Sequence, residues 1–103
     1  MTTEPVQIVQ KNGETHLLLN TVLGVSQARA LHVQLSRVLG QPLPIVLDAG
    51  QVEQVDAAAM QVLAGFCRQL HNQGTAMRWR AISSPVQQAC RLLGLASLVG
   101  SPT

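Results

Sequence analysis

Residues 43–74 read LPIVLDAGQVEQVDAAAMQVLAGFCRQLHNQG. The first six residues are a compact, β-branched apolar run with no polar alternation, the pattern of a central strand covered on one face or on both. The run ends in Asp48, and a short polar loop, AGQVEQV, leads to Asp56. From Ala57 the period becomes helical. Met60, Leu63, Cys67 and Leu70 form an inward stripe that Val62 and Phe66 widen, and Gly74 closes the helix after about Asn72. Gly65 lies in the helix interior at a cost of ~1 kcal/mol relative to alanine, where it either allows close packing or is simply tolerated.

The same alternation continues outward. VQIVQ (6–10) and THLLLN (15–20) read as strands joined by KNGE, whose Asn12-Gly13 pair supplies the positive φ angles of a tight hairpin turn. A first helix follows, with Ser26 as its cap, Ala28, Leu31, Leu35 and Val38 on one face, and Gly40 with Pro42 at its end. After Gly74, TAMRWRA (75–81) alternates Met77 and Trp79 with Arg78 and Arg80, as a strand with one wetter side should. In SSPVQQACRLLGL, Ser84 at the cap, Pro85 at the first helical position and Gln87 make a capping box. Val86, Ala89, Cys90 and Leu93 are the buried stripe of this helix, and Gly94 stops it. The tail ASLVGSPT adds one more helical turn before fraying on this reading. The order predicts an α/β fold: one domain over 1–103, with an N-terminal hairpin, a mixed sheet of four to five strands, parallel at its centre, and three to four helices.

A chain of 103 residues can bury one core of its own but not two. With 47% hydrophobic and 12% charged residues, it is a folding sequence and not a disordered tail. Phe66 and Trp79 are its only aromatics, so the core must be aliphatic. The net charge of +2 is carried by arginines and the single Lys11 without a block, and there is no tyrosine for base stacking, which argues against a nucleic-acid surface. Cys67 and Cys90 fall inside apolar helical patterns and are expected as free, buried thiols. The start MTTEPVQIVQ has no basic region followed by an apolar stretch, and no run approaches the ~18 residues that span a bilayer. A cytoplasmic location without membrane insertion is expected.

The chemistry-bearing residues do not assemble a reactive centre. His16, His32 and His71 fall on different elements with no i, i+4 pair, so no metal or cofactor is expected. Neither cysteine neighbours a base, and no glycine-rich phosphate loop is present. Asp48 and Asp56 are the one acidic pair able to converge, at the carboxyl end of the central strand where open α/β sheets place ligands. They could hold Mg²⁺ or a nucleotide. The competing reading makes Asp56 a helix N-cap worth ~1 kcal/mol and Asp48 an acceptor for the N–H groups of the loop that follows it.

Laid in order, these elements resemble the STAS domain family, the fold of the anti-sigma factor antagonists. The resemblance rests on the strand ending in Asp48, on Val55-Asp56 opening the next helix, on Gly74 closing it, on AMRWRAI as the following strand and on LLGLASLV. It extends weakly to LLLNTVLGVSQARAL. It implies a non-enzymatic switch module that binds a protein partner, and in the best-known members a partner kinase phosphorylates a hydroxyl just after the aspartate. Here that position is Ala57. The resemblance therefore implies a docking subunit that is not switched there, with Asp56, Ala57, Ala58, Ala59, Met60 and Gln61 as the partner face and Asp48, Thr21 and Gly24 supporting the same edge. The implied partners are a kinase-like anti-sigma factor, a sensory or chemotaxis complex, or the ATPase or permease of a lipid-transporting ABC system. Two other arrangements stay open: an anti-sigma factor antagonist controlled at another site, and a homodimer through exposed Val62, Phe66 and the hairpin edge.

Overall fold

Asn12 and Gly13 take φ angles of 55° and 74°, and positive φ at both positions gives the turn whose twist matches the strands it joins. Those strands are β1 (Val6–Lys11) and β2 (Glu14–Leu19), paired antiparallel from Val6 opposite Leu19 to Lys11 opposite Glu14 in a computed structural model that describes residues 4–41 and 44–95. The chain continues through β3 (Val22–Leu23), a 3-10 turn (Val25–Gln27), α1 (Ala28–Val38), β4 (Ile45–Ala49), β5 (Gln54–Val55), α2 (Ala57–Gln73), β6 (Met77–Ile82) and α3 (Ser84–Leu92). The main sheet has the order β1-β2-β4-β6, with β2, β4 and β6 mutually parallel, and β3 and β5 form a separate parallel pair. The predicted mixed sheet with a parallel centre and an N-terminal hairpin is therefore what forms. The small second sheet is the addition, and strands of two residues are too short to carry an alternating signal.

Helices α1, α2 and α3 cover one face of the main sheet. Leu17 and Leu19 of β2 and Ile45, Leu47 and Ala49 of β4 share one core cluster with Leu31, Leu35 and Val38 of α1, Met60, Leu63, Phe66 and Leu70 of α2, and Val86 and Cys90 of α3. Successive strand residues point to opposite faces. Val46 accordingly looks the other way, buried but outside that cluster. Around it lie half-buried His16, Leu18 and Asp48, with Arg78 and Arg80 exposed. Arg78 pairs with Glu14 at 3.4 Å, and no helix packs on this second face among the described residues.

Helix boundaries follow local chemistry, with two corrections. Ser26 does not cap α1: the helix begins after the 3-10 turn, and the side chain of Gln27 reaches back to accept from the Gly24 N–H at 2.9 Å. At α3 the cap is Ser83 and not Ser84, which puts Pro85 at the second helical position. No capping box forms, because Gln87 donates its side-chain amide to the Ile82 carbonyl at 3.0 Å and the buried Ser83 hydroxyl finds no partner among the described residues. Gly74 and Gly94 both take left-handed conformations where α2 and α3 end, as the sequence requires. The turn predicted for ASLVGSPT lies outside the described residues.

Candidate functional site

The site is the sheet edge where the parallel strands end. After β4 the chain turns sharply at Gly50, whose N–H donates to Asp48 Oδ1 at 2.9 Å. A Cβ on Gly50 would meet the Ala81 Cβ at 2.9 Å, so the loop lies hard against β6 and only glycine fits there. Between Leu47 and Asp48 the β4–β6 register slips by one residue at Arg80, a bulge that aims the guanidinium towards Asp48 Oδ2, 3.9 Å away. Val52 is buried beneath the loop, and the side chain of Gln51 donates to the Leu19 carbonyl at 2.9 Å.

The loop then runs alongside the segment that follows β2. The Thr21 carbonyl accepts from the N–H groups of Glu53 (2.7 Å) and Gln54 (3.1 Å), and the Leu23 carbonyl accepts from Asp56 N–H at 2.9 Å. These bonds make the β3–β5 pair, and they set Thr21 and Gly24 beside the start of α2. Thr21 contributes there through its backbone. Gly24 lies close to both side chains of this junction: a Cβ on it would meet Gln27 Oε1 at 2.9 Å, displacing that side chain, and Asp56 Oδ2 at an ordinary 3.7 Å.

Asp56 stands at the N-cap of α2 with extended backbone (φ −92°, ψ 158°), yet its side chain makes no cap bond to its own helix. Its Oδ2 accepts instead from the Val25 N–H, 2.8 Å away, at the start of the turn leading into α1. The carboxylate thus joins the starts of both helical segments. This corrects the capping expectation, and the reason is tertiary: the β3–β5 pairing delivers a free N–H 31 residues upstream. Asp48 does accept from its own loop, as expected of it. The two carboxylates have different partners: Asp48 engages Gly50 and Arg80, Asp56 engages Val25, and no metal-holding group of three His, Cys, Asp or Glu occurs among the described residues. Replacing Asp56 with alanine is expected to cost about 1 kcal/mol in urea unfolding and to shift the Val25 amide resonance, with Asp56→Asn losing less.

Burial divides the six residues expected to form the partner face. Asp56, Ala57 and Gln61 are exposed and Ala58 is half-buried, whereas Ala59 and Met60 are completely inaccessible and pack in the core. Ala59 and Met60 are therefore withdrawn from the docking face, since the i, i+3, i+4 stripe that runs through Met60 and Leu63 can face only the sheet. Two exposed side chains beside this helix start were missed by sequence reasoning, Val22 at 44% exposure and Val25 at 69%. Both lie in the segment bonded to Gln54–Asp56. Sequence alone assigns TVLGV no element; Val22 lies in β3 and Val25 opens the 3-10 turn. The homodimer arrangement loses one member too, because Phe66 is only 3% exposed.

The helices and sheet of this edge have a known pattern. The family model described as "Mlab, STAS domain" matches residues 6–100. The chain belongs to the STAS family. Among solved structures it is similar to the unphosphorylated anti-sigma factor antagonist SpoIIAA, a Bacillus cell fate determinant, with a TM-score of 0.72 and 16% identity over 88% of this chain and 82% of that one. A putative anti-sigma factor antagonist from Thermotoga maritima gives 0.65 and 21% identity over 88% and 78%. A crystal structure of Mglu gives 0.66 and 20% identity over 78% of this chain, which spans only 20% of that longer one. No curated protein matches the chain in sequence. At these identities the structures share its fold. In this STAS domain the residue after Asp56 is Ala57, which offers a methyl group where the family resemblance expects a phosphorylatable hydroxyl.

Two further facts bear on chemistry. Cys67 and Cys90 are free and buried. Burial, chiefly, pushes the Cys67 thiol up to about 12, with nearby Cys90 adding to the shift and Arg68 opposing it. A thiol so held is not a nucleophile at neutral pH. No helix among the described residues is long and apolar enough to cross a membrane.

Proposed function

We propose that this STAS domain is a non-enzymatic regulatory module that docks a protein partner on the first turn of α2, through Asp56, Ala57, Ala58 and Gln61 with Val22 and Val25 beside them. The observation that carries the reading is the exposed Ala57 in a helix start whose position is fixed by the Asp56–Val25 bond. A small apolar patch on a rigid frame suits constant contact, because it can exclude water without ordering long side chains. It does not suit a phosphorylation switch, which needs an oxygen to carry the charge. Among the partners that family members serve, a scaffold or an assembly subunit such as one in an ABC transporter fits this surface better than an anti-sigma kinase acting at this position.

The test starts with the domain as bait in native lysate, followed by purification of the captured protein and measurement of its affinity. Ala57→Asp is expected to weaken the complex at least tenfold with an unchanged melting temperature, since a charge would enter a closed contact. Val9→Asp, on the far side of the sheet, is expected to leave it intact. A complex that survives Ala57→Asp would remove this site from the interface.

A further inference from the structure

The groove between α1 and α2 belongs to neither the core nor the helix start. It encloses about 540 Å³ and is walled by His32 and Ser36 from α1 and by Val62, Gly65, Phe66 and Arg68 from α2. Phe66 is nearly buried and forms the apolar floor, while Arg68 stands exposed on the rim. Gln61 lines the near end and also belongs to the first-turn surface, so the two surfaces are continuous there.

Gly65 is not explained by the packing of this chain. A glycine in mid-helix is unfavourable, and a Cβ added at Gly65 would meet nothing within 4 Å. The space therefore lies on the groove side, where the missing side chain lets another backbone or a bulky anchor approach closely. The charges indicate what kind. The chain has five acidic residues, Glu4, Glu14, Asp48, Glu53 and Asp56, and none lies within α1, α2 or α3. The helices carry Arg29, Arg37, Arg68 and Arg91 and no carboxylate of their own, although Glu4 meets α1 at Gln34; the groove itself is lined by Arg68 and by no acidic side chain.

We infer that this groove receives an acidic, amphipathic peptide segment of a protein partner, its apolar anchors entering over Gly65 and Phe66 and its carboxylates meeting Arg68. Helix-in-groove recognition uses anchors spaced by three and four residues, and a glycine floor admits them. The inference stands apart from the reading of the first turn, sharing only Gln61 with it.

The test is selection from a phage-displayed library of random 16-residue peptides against the folded domain, with the selected peptides then synthesised and titrated by NMR. Enriched sequences are expected to combine Asp or Glu with spaced aliphatic or aromatic anchors and to shift the amides of Ser36, Val62, Gly65 and Arg68. Arg68→Glu and Gly65→Leu are each expected to weaken them at least tenfold, and Ala57→Asp less than twofold. Arg68 is exposed, so Arg68→Glu remains informative even if Gly65→Leu unfolds the domain. No enrichment, enrichment of basic or neutral sequences, or binding indifferent to Arg68→Glu would overturn the inference. So would binding to phosphatidylglycerol vesicles in the absence of any selected peptide, which would assign the cationic side to a membrane surface. Peptides that respond to Ala57→Asp and not to the groove variants would support the first-turn reading and overturn this one.

Discussion

Leu47→Ala is expected to lower the unfolding free energy by about 3–4 kcal/mol. Leu47 is fully buried at the centre of β4, opposite Leu17 on one neighbouring strand and Trp79 on the other. Removing its branched end leaves a cavity that close-packed neighbours from three helices and three strands cannot collapse to fill. A domain of this size has on the order of 5–15 kcal/mol of stability in total, so the variant should populate unfolded chain measurably at 37 °C. Urea unfolding followed by far-UV circular dichroism gives the number. Ile8→Ala is the comparison: Ile8 lies on edge strand β1 at 39% exposure, and its loss should cost less than about 1.5 kcal/mol. Equal costs at the two positions would mean that the core is not organised around β4.

The other large effect is alkaline. The Cys67 thiol is neutral in the folded protein, with its titration pushed by burial up to about 12, whereas in the unfolded chain it ionises near its ordinary value of 9.0. Between those values the unfolded state holds fewer protons. Stability is therefore intact below pH 9 and falls as pH rises towards 12. The slope is about 1.4 kcal/mol per pH unit, so the loss reaches roughly 2 kcal/mol by pH 10.5 and on the order of 4 kcal/mol by pH 12. Burial raises Cys90 as well, which acts in the same direction. Competing titrations are few, because the chain has no tyrosine and Lys11 is its one lysine. Urea melts at pH 7, 9 and 10.5 should show the decline in the parent and a much flatter profile in Cys67→Val. An undiminished decline in that variant would place the cause elsewhere.

What the sequence makes legible here is what local chemistry determines. Asn12-Gly13 announces the hairpin because few other pairs take positive φ twice in succession, and Gly74 marks the end of α2 for the same reason. The run 43–48 reads as a central strand because it lacks the polar alternation of an edge, and β4 forms over Ile45–Ala49. The shift from Ser84 to Ser83 at α3 is a choice between adjacent serines, and proline is acceptable at either helical position that results. The site is less legible because long-range pairing builds it. Nothing near Asp56 in sequence indicates that its carboxylate will serve Val25, and nothing in TVLGV marks Val22 and Val25 as exposed. Met60 is the instructive case: helical periodicity places it inward, the family resemblance lists it with a partner face, and the periodicity wins because burial obeys geometry before homology.

The absence of carboxylates from the three helices has a consequence for how the molecule meets another. With four arginines and no carboxylate on the helices, against three cations and five carboxylates on the strands and loops, the charge of the domain is polarised with its positive end at the helical layer. An approaching acidic surface exerts a torque on such a body and turns it helix side first. At physiological ionic strength that torque acts only within about 8 Å, so the orientation is chosen during the last water layers of the encounter. Collisions that begin badly aligned can be corrected before they separate, and the rate of productive association rises without any added contact.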